Sequence, residues 1–344
     1  MPKAGELTNA WRLFRKGDPD AAADVLEPLV EREPQEVPAR LLLARCYSRM
    51  RLGEDAVAEI EEALELAPDN AEAHALRGAE HYFADEFEEA AEELNRAIEL
   101  DPSCVEAYVR LAQVRVDEKE FGEAASLLET AEERAGDDKE KLALVRMGQV
   151  YLAMQQRQNS RVLELISENE ELLAANPYAA ATVRSNQAVV YARQRDYARA
   201  RELLIEVLDL DPYFHTARGL LGQIAALQRD YELAVDQLQQ VVEHSGEVGA
   251  HVYYSLATSL AALGRRAEAS QYYGMALGEG LTGFPGLSAR LALLLPNPRA
   301  RLAVGAVLLA VVAVLAFRFL SPFMAAALVF GLGLLGWQMA RGGR

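Results

Sequence analysis

The segments ALELAPDNAEAH (63–74) and AIELDPSCVEAY (97–108) begin 34 residues apart, and VLDLDPYFHTAR (207–218) is a third version of them. A repeat of that length constrains the fold more than any bulk property does. One unit of 34 residues is too short to bury a core alone, so its neighbours must supply the covering face. Units started at Lys3, Val37, Ala71 and Val105 place Ala10, Ala44, Gly78 and Ala112 at the eighth position. They place Ala22, Ala56, Ala90 and Ala124 at the twentieth and Leu29, Ala63, Ala97 and Ala131 at the twenty-seventh. Small side chains recur where two helices have to touch. Pro34, Pro68, Pro102 and Gly136 fall at the thirty-second position, and proline there stops the second helix because it lacks the amide and clashes with the preceding turn.

The pattern resumes at Ala181 (Ala188, Tyr197, Ala200, Pro212), at His215 (Gly222, Tyr231, Ala234) and at Ala250 (Leu256, Ala257, Ala269, Ala276). On these residues the chain resembles the tetratricopeptide repeat family. The resemblance implies an all-α fold, a right-handed α-solenoid of about eight helix-turn-helix repeats over residues 1–283. The first-helix aromatic of the motif is often replaced, by Arg40, His74, Arg184 and Arg218. One unit departs further. From Val105 to Ala181 is eight residues more than two units need, which marks an irregular fifth repeat near 139–180. Gly148 and Tyr151 stand in place, whereas QQRQNS (155–160) and Ser160 occupy the turn and the small-alanine position. The reading is a lengthened second helix ending near Asn176-Pro177, a tolerated insertion with a functional hinge as the alternative.

After residue 283 a glycine- and proline-broken linker is expected over 284–301, followed by two apolar segments, 302–320 and 322–340. One straight helix over 302–340 would run about 58 Å, nearly twice the ~30 Å hydrocarbon core. Two spans fit, with the reversal at Leu320-Ser321-Pro322. Arg318 then sits at the tip of a transmembrane hairpin, where its side chain extends into the headgroups. Arg290, Arg299, Arg301, Arg341 and Arg344 flank the other side. That asymmetry puts both termini and the repeat array on the cytoplasmic face of a prokaryotic inner or plasma membrane. A hairpin of buried helices capping the array is the other reading of these segments. The N-terminus carries no apolar core of a signal peptide.

The net charge is −17, and residues 291–344 hold five arginines and no acid, so residues 1–290 carry about −22. A body that negative disfavours nucleic acid. Cys46 and Cys104 read as small thiols, not a disulfide framework. No P-loop, dinucleotide fingerprint, HExxH or nucleophile elbow occurs, and His74, His81, His215, His244 and His251 form no metal motif. No cofactor, metal or catalytic residue is expected, and an enzyme with an unrecognised site is the remote alternative.

The resemblance implies protein binding, with the first helix of each unit lining a concave groove. The groove places read Trp11 and Phe14, Arg45, Arg49, Tyr82, Arg110, Gln113, Arg146, Gln149, Asn186 and Arg193. As an arginine-rich stripe they suit partners with acidic segments or C-terminal carboxylates; equally, these arginines can pair with acids of adjacent repeats. Leu7, Trp11, Leu42 and Leu76 stand where the carboxylate clamp of chaperone-binding members has Lys and Asn, so that clamp is absent. The expected role is a noncatalytic membrane-anchored adaptor that recruits partner proteins and contacts lipid through the hairpin. The alternative is a self-assembling scaffold, with homo-oligomers.

Overall fold

The first helix of each unit ends where the chain must reverse, and the reversal is made the same way each time. In the computed structural model, which describes residues 2–244 and 248–295, each of eight turns holds one residue in the left-handed region. These are Gly17, Arg51, Asp85, Lys119, Arg157, Arg195, Arg229 and Gly264, with φ between 58° and 82°. The helices on either side are α1 Pro2–Arg15 and α2 Pro19–Arg32, α3 Val37–Arg49 and α4 Gly53–Leu66, α5 Ala71–Phe83 and α6 Phe87–Leu100, and α7 Val105–Asp117 and α8 Phe121–Ala135. After them come α9 Lys139–Gln155, α10 Asn159–Glu168 and the short α11 Glu170–Leu173, then α12 Pro177–Arg193 and α13 Tyr197–Leu210, and α14 His215–Leu227 and α15 Tyr231–His244. The last three are α16 Ala250–Ala262, α17 Arg266–Gly278 and α18 Gly283–Leu294. The described residues are all-helical, with no strand.

Within a unit the two helices pack on each other, and each second helix packs on the first helix of the next unit, as α2 does on α3 and α6 on α7. The small residues of the motif make this possible. A Cβ on Gly78 would lie 2.7 Å from Leu94 Cγ, so α5 and α6 meet at that point without a side chain between them. Ala22, Ala56, Ala90 and Ala124 are fully buried. Leu26, Ile60, Leu94 and Leu128 fill the space beside them at 0–1% exposure, each contributing about 2 kcal/mol of apolar burial.

The replaced aromatic position has a physical task. Arg40 Nε donates to the Pro34 carbonyl at 2.9 Å, His74 Nε2 lies 2.9 Å from the Pro68 carbonyl, and Arg218 Nη2 donates to the Pro212 carbonyl at 2.8 Å. The Tyr108 hydroxyl reaches the Pro102 carbonyl at 3.5 Å. The other nitrogens of the three cationic or imidazole side chains bond 19 residues ahead, to Glu59, Glu93 and Gln237. Each such side chain satisfies a carbonyl near the end of the previous helix and ties it to the next hairpin.

The eight extra residues lie in the first helices, not in a lengthened second helix. The left-handed residues fall 34 apart from Gly17 to Lys119, then 38 apart from Lys119 to Arg157 and from Arg157 to Arg195. Correspondingly α9 and α12 have 17 residues where α3, α5, α7, α14 and α16 have 13. One turn has been added to the N-terminal end of each, residues 139–142 and 177–180. Asp138 caps the first through the amides of Glu140 and Lys141, and Asn176 caps the second through Ala179. The register of the fifth unit shifts accordingly. Val162, fully buried, takes the place of the small alanine in the second helix, not Ser160. Val150 takes the eighth-position place, whereas Gly148 faces Leu128 of the preceding unit.

The chain divides into two compact units, Met1–Glu247 and Val248–Arg344. In the second, α16 and α17 form the eighth hairpin and α17 packs on α18. The linker expected over 284–301 is therefore helical as far as Leu294: Gly286, Ala289 and Ala292 are buried against neighbours, while Phe284, Leu287 and Leu294 are 61%, 55% and 75% exposed. The segments 302–320 and 322–340 lie outside the described residues. Among the described residues no helix is long and apolar enough to cross a membrane.

Candidate functional pocket

In the first unit the stacked first helices curve until the second repeat meets the sixth. Asp211, at the end of α13, is 2% exposed and accepts from Arg49 Nη2 at 2.7 Å and Nε at 3.1 Å. Arg49 Nη1 donates to the Phe14 carbonyl. A Cβ on Gly17 would sit 2.3 Å from the Leu210 carbonyl oxygen, so the turn at Gly17 abuts the end of α13. Arg15 and Glu140 form a second, exposed bridge at 3.1 Å.

Behind these contacts lies a pocket of about 520 Å³. Its lining includes Trp11, Phe14, Arg45, Arg49, Leu76, Phe83 and Arg110 from the first four repeats, Asp138, Glu140, Lys141, Asn176, Pro177 and Tyr178 from the fifth and sixth, and Phe214 and His215. The two added turns and their caps thus contribute to the pocket lining. The eight extra residues are a structural element of the pocket, not a loop insertion.

The expected groove residues divide sharply. Arg45 spans three repeats, donating to Glu106 at 2.7 and 3.1 Å and to Glu72 at 3.1 Å. Burial works against the Arg45 charge, but the two carboxylates hold its pKa above the ordinary value. Burial would likewise raise the Glu106 carboxyl, and Arg45 overrides it, holding it at about 2. Arg146 is bidentate to Glu132 at 2.6 Å and also donates to Gln149 and Asn169; Gln149 donates to Glu132. Tyr82 and Tyr151 both donate to Asp117. Burial first, then the Asp117 bond, pushes the Tyr82 phenol up.

Arg45, Arg49 and Arg146 therefore do not form an open stripe: acids of this chain already occupy them, the second of the two readings of the sequence. Arg110 differs. Its Nη1 donates to Gln113 Oε1 at 3.2 Å, and its guanidinium carbon lies 5.7 Å from the Phe83 ring centre and 5.9 Å from that of Tyr178. Trp11 meets Phe14 edge to face at 6.0 Å. Asn186 has a buried, unpartnered Nδ2, and Arg193 is exposed; neither lines the pocket.

Sequence reasoning missed Arg51, Phe83, Tyr178, Asp211 and His215. Asn176-Pro177 was the available signal for Tyr178, since a cap followed by proline marks a helix start one turn upstream of the regular one. His74 and His81 bond Glu93 and Glu86, and among the described residues no group of three His, Cys, Asp or Glu side chains is arranged to hold a metal. Cys46 and Cys104 are free thiols, and burial pushes the Cys46 thiol up to about 12.

Stacked helical hairpins with a side-chain-lined concavity define a repeat protein of the α-solenoid class. Sequence profiles described as tetratricopeptide repeat match residues 13–79 and 84–147, and again 170–213 and 185–248. Together these ranges take in more than half of the chain, which belongs to the tetratricopeptide repeat proteins. Among solved structures it is similar to a chain in the APC/C hetero-tetramer Cut9–Hcn1, with TM-score 0.58 and 17% identity over 84% of this chain and 55% of that one. The protein thus spans about half the length of that relative. A tetratricopeptide repeat protein from Parabacteroides merdae ATCC 43184 aligns with TM-score 0.48 and 17% identity over 75% of this chain and 98% of that one. No curated protein matches. Repeats of this family are in general noncatalytic scaffolds for protein partners.

Proposed function

We propose that the protein is a noncatalytic, membrane-anchored scaffold that recruits a protein partner on the inner surface of its repeat array. The observation that carries the reading is the concavity itself: first helices of successive repeats line one pocket, which leaves aromatic and cationic side chains facing inward. Trp11, Phe14, Arg110 and Gln113 are the inner-surface contacts for a partner with an acidic segment, and Asn186 and Arg193 extend the surface along α12. Two features support anchoring by the hairpin at 302–320 and 322–340. The segments are apolar with basic flanks. The helix just before them, α18, also presents Phe284, Leu287 and Leu294 to solvent, a face suited to a lipid interface.

Alkaline carbonate extraction of source-cell membranes tests the anchor: the chain should stay in the membrane pellet, and recovery in the supernatant would remove the hairpin from the account. Partner recruitment is tested by capture from lysate with the immobilised full chain and its Trp11→Ala/Arg193→Glu form. A partner held by the first and lost by the second is expected. Equal retention by both would remove the inner surface.

A further inference from the structure

One corner of the pocket has a composition that the closure of the array does not explain. Phe83 is 42% exposed, and two guanidiniums lie over its ring, Arg51 at 5.8 Å and Arg110 at 5.7 Å from the centre. Neither arginine forms an ion pair with any described residue, unlike Arg45, Arg49 and Arg146. Two like charges on one ring repel each other, and the ring's quadrupole offsets only part of that. Glu80 lies close enough to feel both, yet its carboxyl is hydrogen-bonded with Ser48 and is raised by burial. Glu106 also acts on Arg110, but from beyond ion-pair distance, and it is bonded to Arg45, so neither guanidinium of this corner has a carboxylate in contact with it.

His215 supplies the second observation. It lines the same pocket, and both ring nitrogens are buried without a hydrogen-bond partner. Burial and the neighbouring Arg51 charge lower its pKa to about 4, so at neutral pH it is an uncharged imidazole with one N–H to give. A buried polar group left unpaired is destabilising, and a ligand that pairs it recovers that loss. Tyr178, from the added turn of α12, lies against Arg110, the guanidinium carbon 5.9 Å from its ring centre.

We infer that this corner binds a small, free, planar aromatic carboxylate. Its ring packs in the pocket beside Phe83, its carboxylate takes the Arg51 and Arg110 guanidiniums, and a polar ring substituent meets His215. The volume of about 520 Å³ suits a bicyclic molecule. The Arg49–Asp211 contact bounds the pocket on one side, which favours a compact ligand over an extended chain. The assignment stands apart from partner recruitment, because it concerns a small molecule and is read in the absence of any partner.

Isothermal titration of the full chain in detergent with 6-hydroxy-2-naphthoate, corrected for uptake by empty micelles, tests it. Saturable one-to-one binding is expected, weakened about tenfold or more in the neutral carboxamide, because a charge-assisted pair is lost. Arg51→Gln, at an exposed turn position that does not threaten folding, should weaken the acid about tenfold and leave the amide nearly unchanged. His215→Phe should weaken the hydroxylated acid several-fold more than it weakens 2-naphthoate. Arg96→Gln, at an exposed site that pairs with Asp69 outside the pocket, should change nothing. Equal affinity for acid and amide, no effect of Arg51→Gln, or no saturable binding below about 5 mM would each overturn the assignment.

Discussion

The first four repeats and the two that follow them solve different problems with the same hairpin. Among the first four, the second and third repeat one local set of polar contacts: the fourth-position side chain bonds a carbonyl six residues back, and its partner on the second helix is 19 residues ahead. In the fifth and sixth, the first helices are one turn longer. The polar contacts of these two repeats, through Glu140 and Asp211, reach 125 and 162 residues back along the chain. Regularity builds a stack, and the two added turns convert that stack into a walled pocket.

The sharpest way to break the comparison is at the buried end of the long-range contact. Asp211→Ala leaves Arg49 with no carboxylate at 8% side-chain exposure and should cost about 3–5 kcal/mol in urea unfolding. A loss below about 1 kcal/mol would mean the sixth repeat does not depend on the second. His215 is next. Its folded pKa of about 4 lies below its ordinary value of 6.5, so the unfolded chain binds the proton first. The stability this contributes is complete above pH 6.5 and is lost as pH falls from 6.5 towards 4, amounting to about 2 kcal/mol once the full shift of about 3 kcal/mol is reduced for solvent screening of the partly exposed ring. His215→Phe should flatten that segment of the stability–pH curve, and an unchanged slope would refute the burial of the ring.

The small-residue position sharpens the contrast from the packing side. Ala124→Val in a regular repeat should cost about 2 kcal/mol through overpacking. Val162→Ala, which restores the regular residue in the fifth repeat, should still cost about 1 kcal/mol by leaving a cavity. A gain in stability from Val162→Ala would mean the fifth repeat is only a strained copy of the others. The smallest effect is expected at the exposed bridge: Arg15→Gln should lower stability by no more than about 0.5 kcal/mol, as its partners are 57% and 49% exposed.

What the sequence disclosed follows from range. Ala22, Ala56, Ala90 and Ala124 were readable because the contact they allow lies inside one hairpin, so their spacing is the geometry. The excess of eight residues was equally visible, but its placement was not, since QQRQNS suggested a disturbed turn while Arg157 adopts the same left-handed conformation as its counterparts. The pairing of Arg45 with Glu72 and Glu106, or of Arg49 with Asp211, depends on how tightly successive hairpins curve, and no local pattern encodes that. Arg51 was hidden for a related reason: at a turn position it resembles any solvated charge until Phe83, 32 residues on, is brought beneath it.

The constant turn residue has a consequence for how such a chain can change in length. With the reversal fixed, residues added to a first helix accumulate at its far end, where each one rotates the incoming chain by about 100°. Four residues bring it back to within about 40° of its starting azimuth, whereas two would swing it to the opposite side. Growth of this helix is thus quantised in whole turns, and a residue such as Tyr178 gains a position over Arg110 only when the increment is close to one quantum.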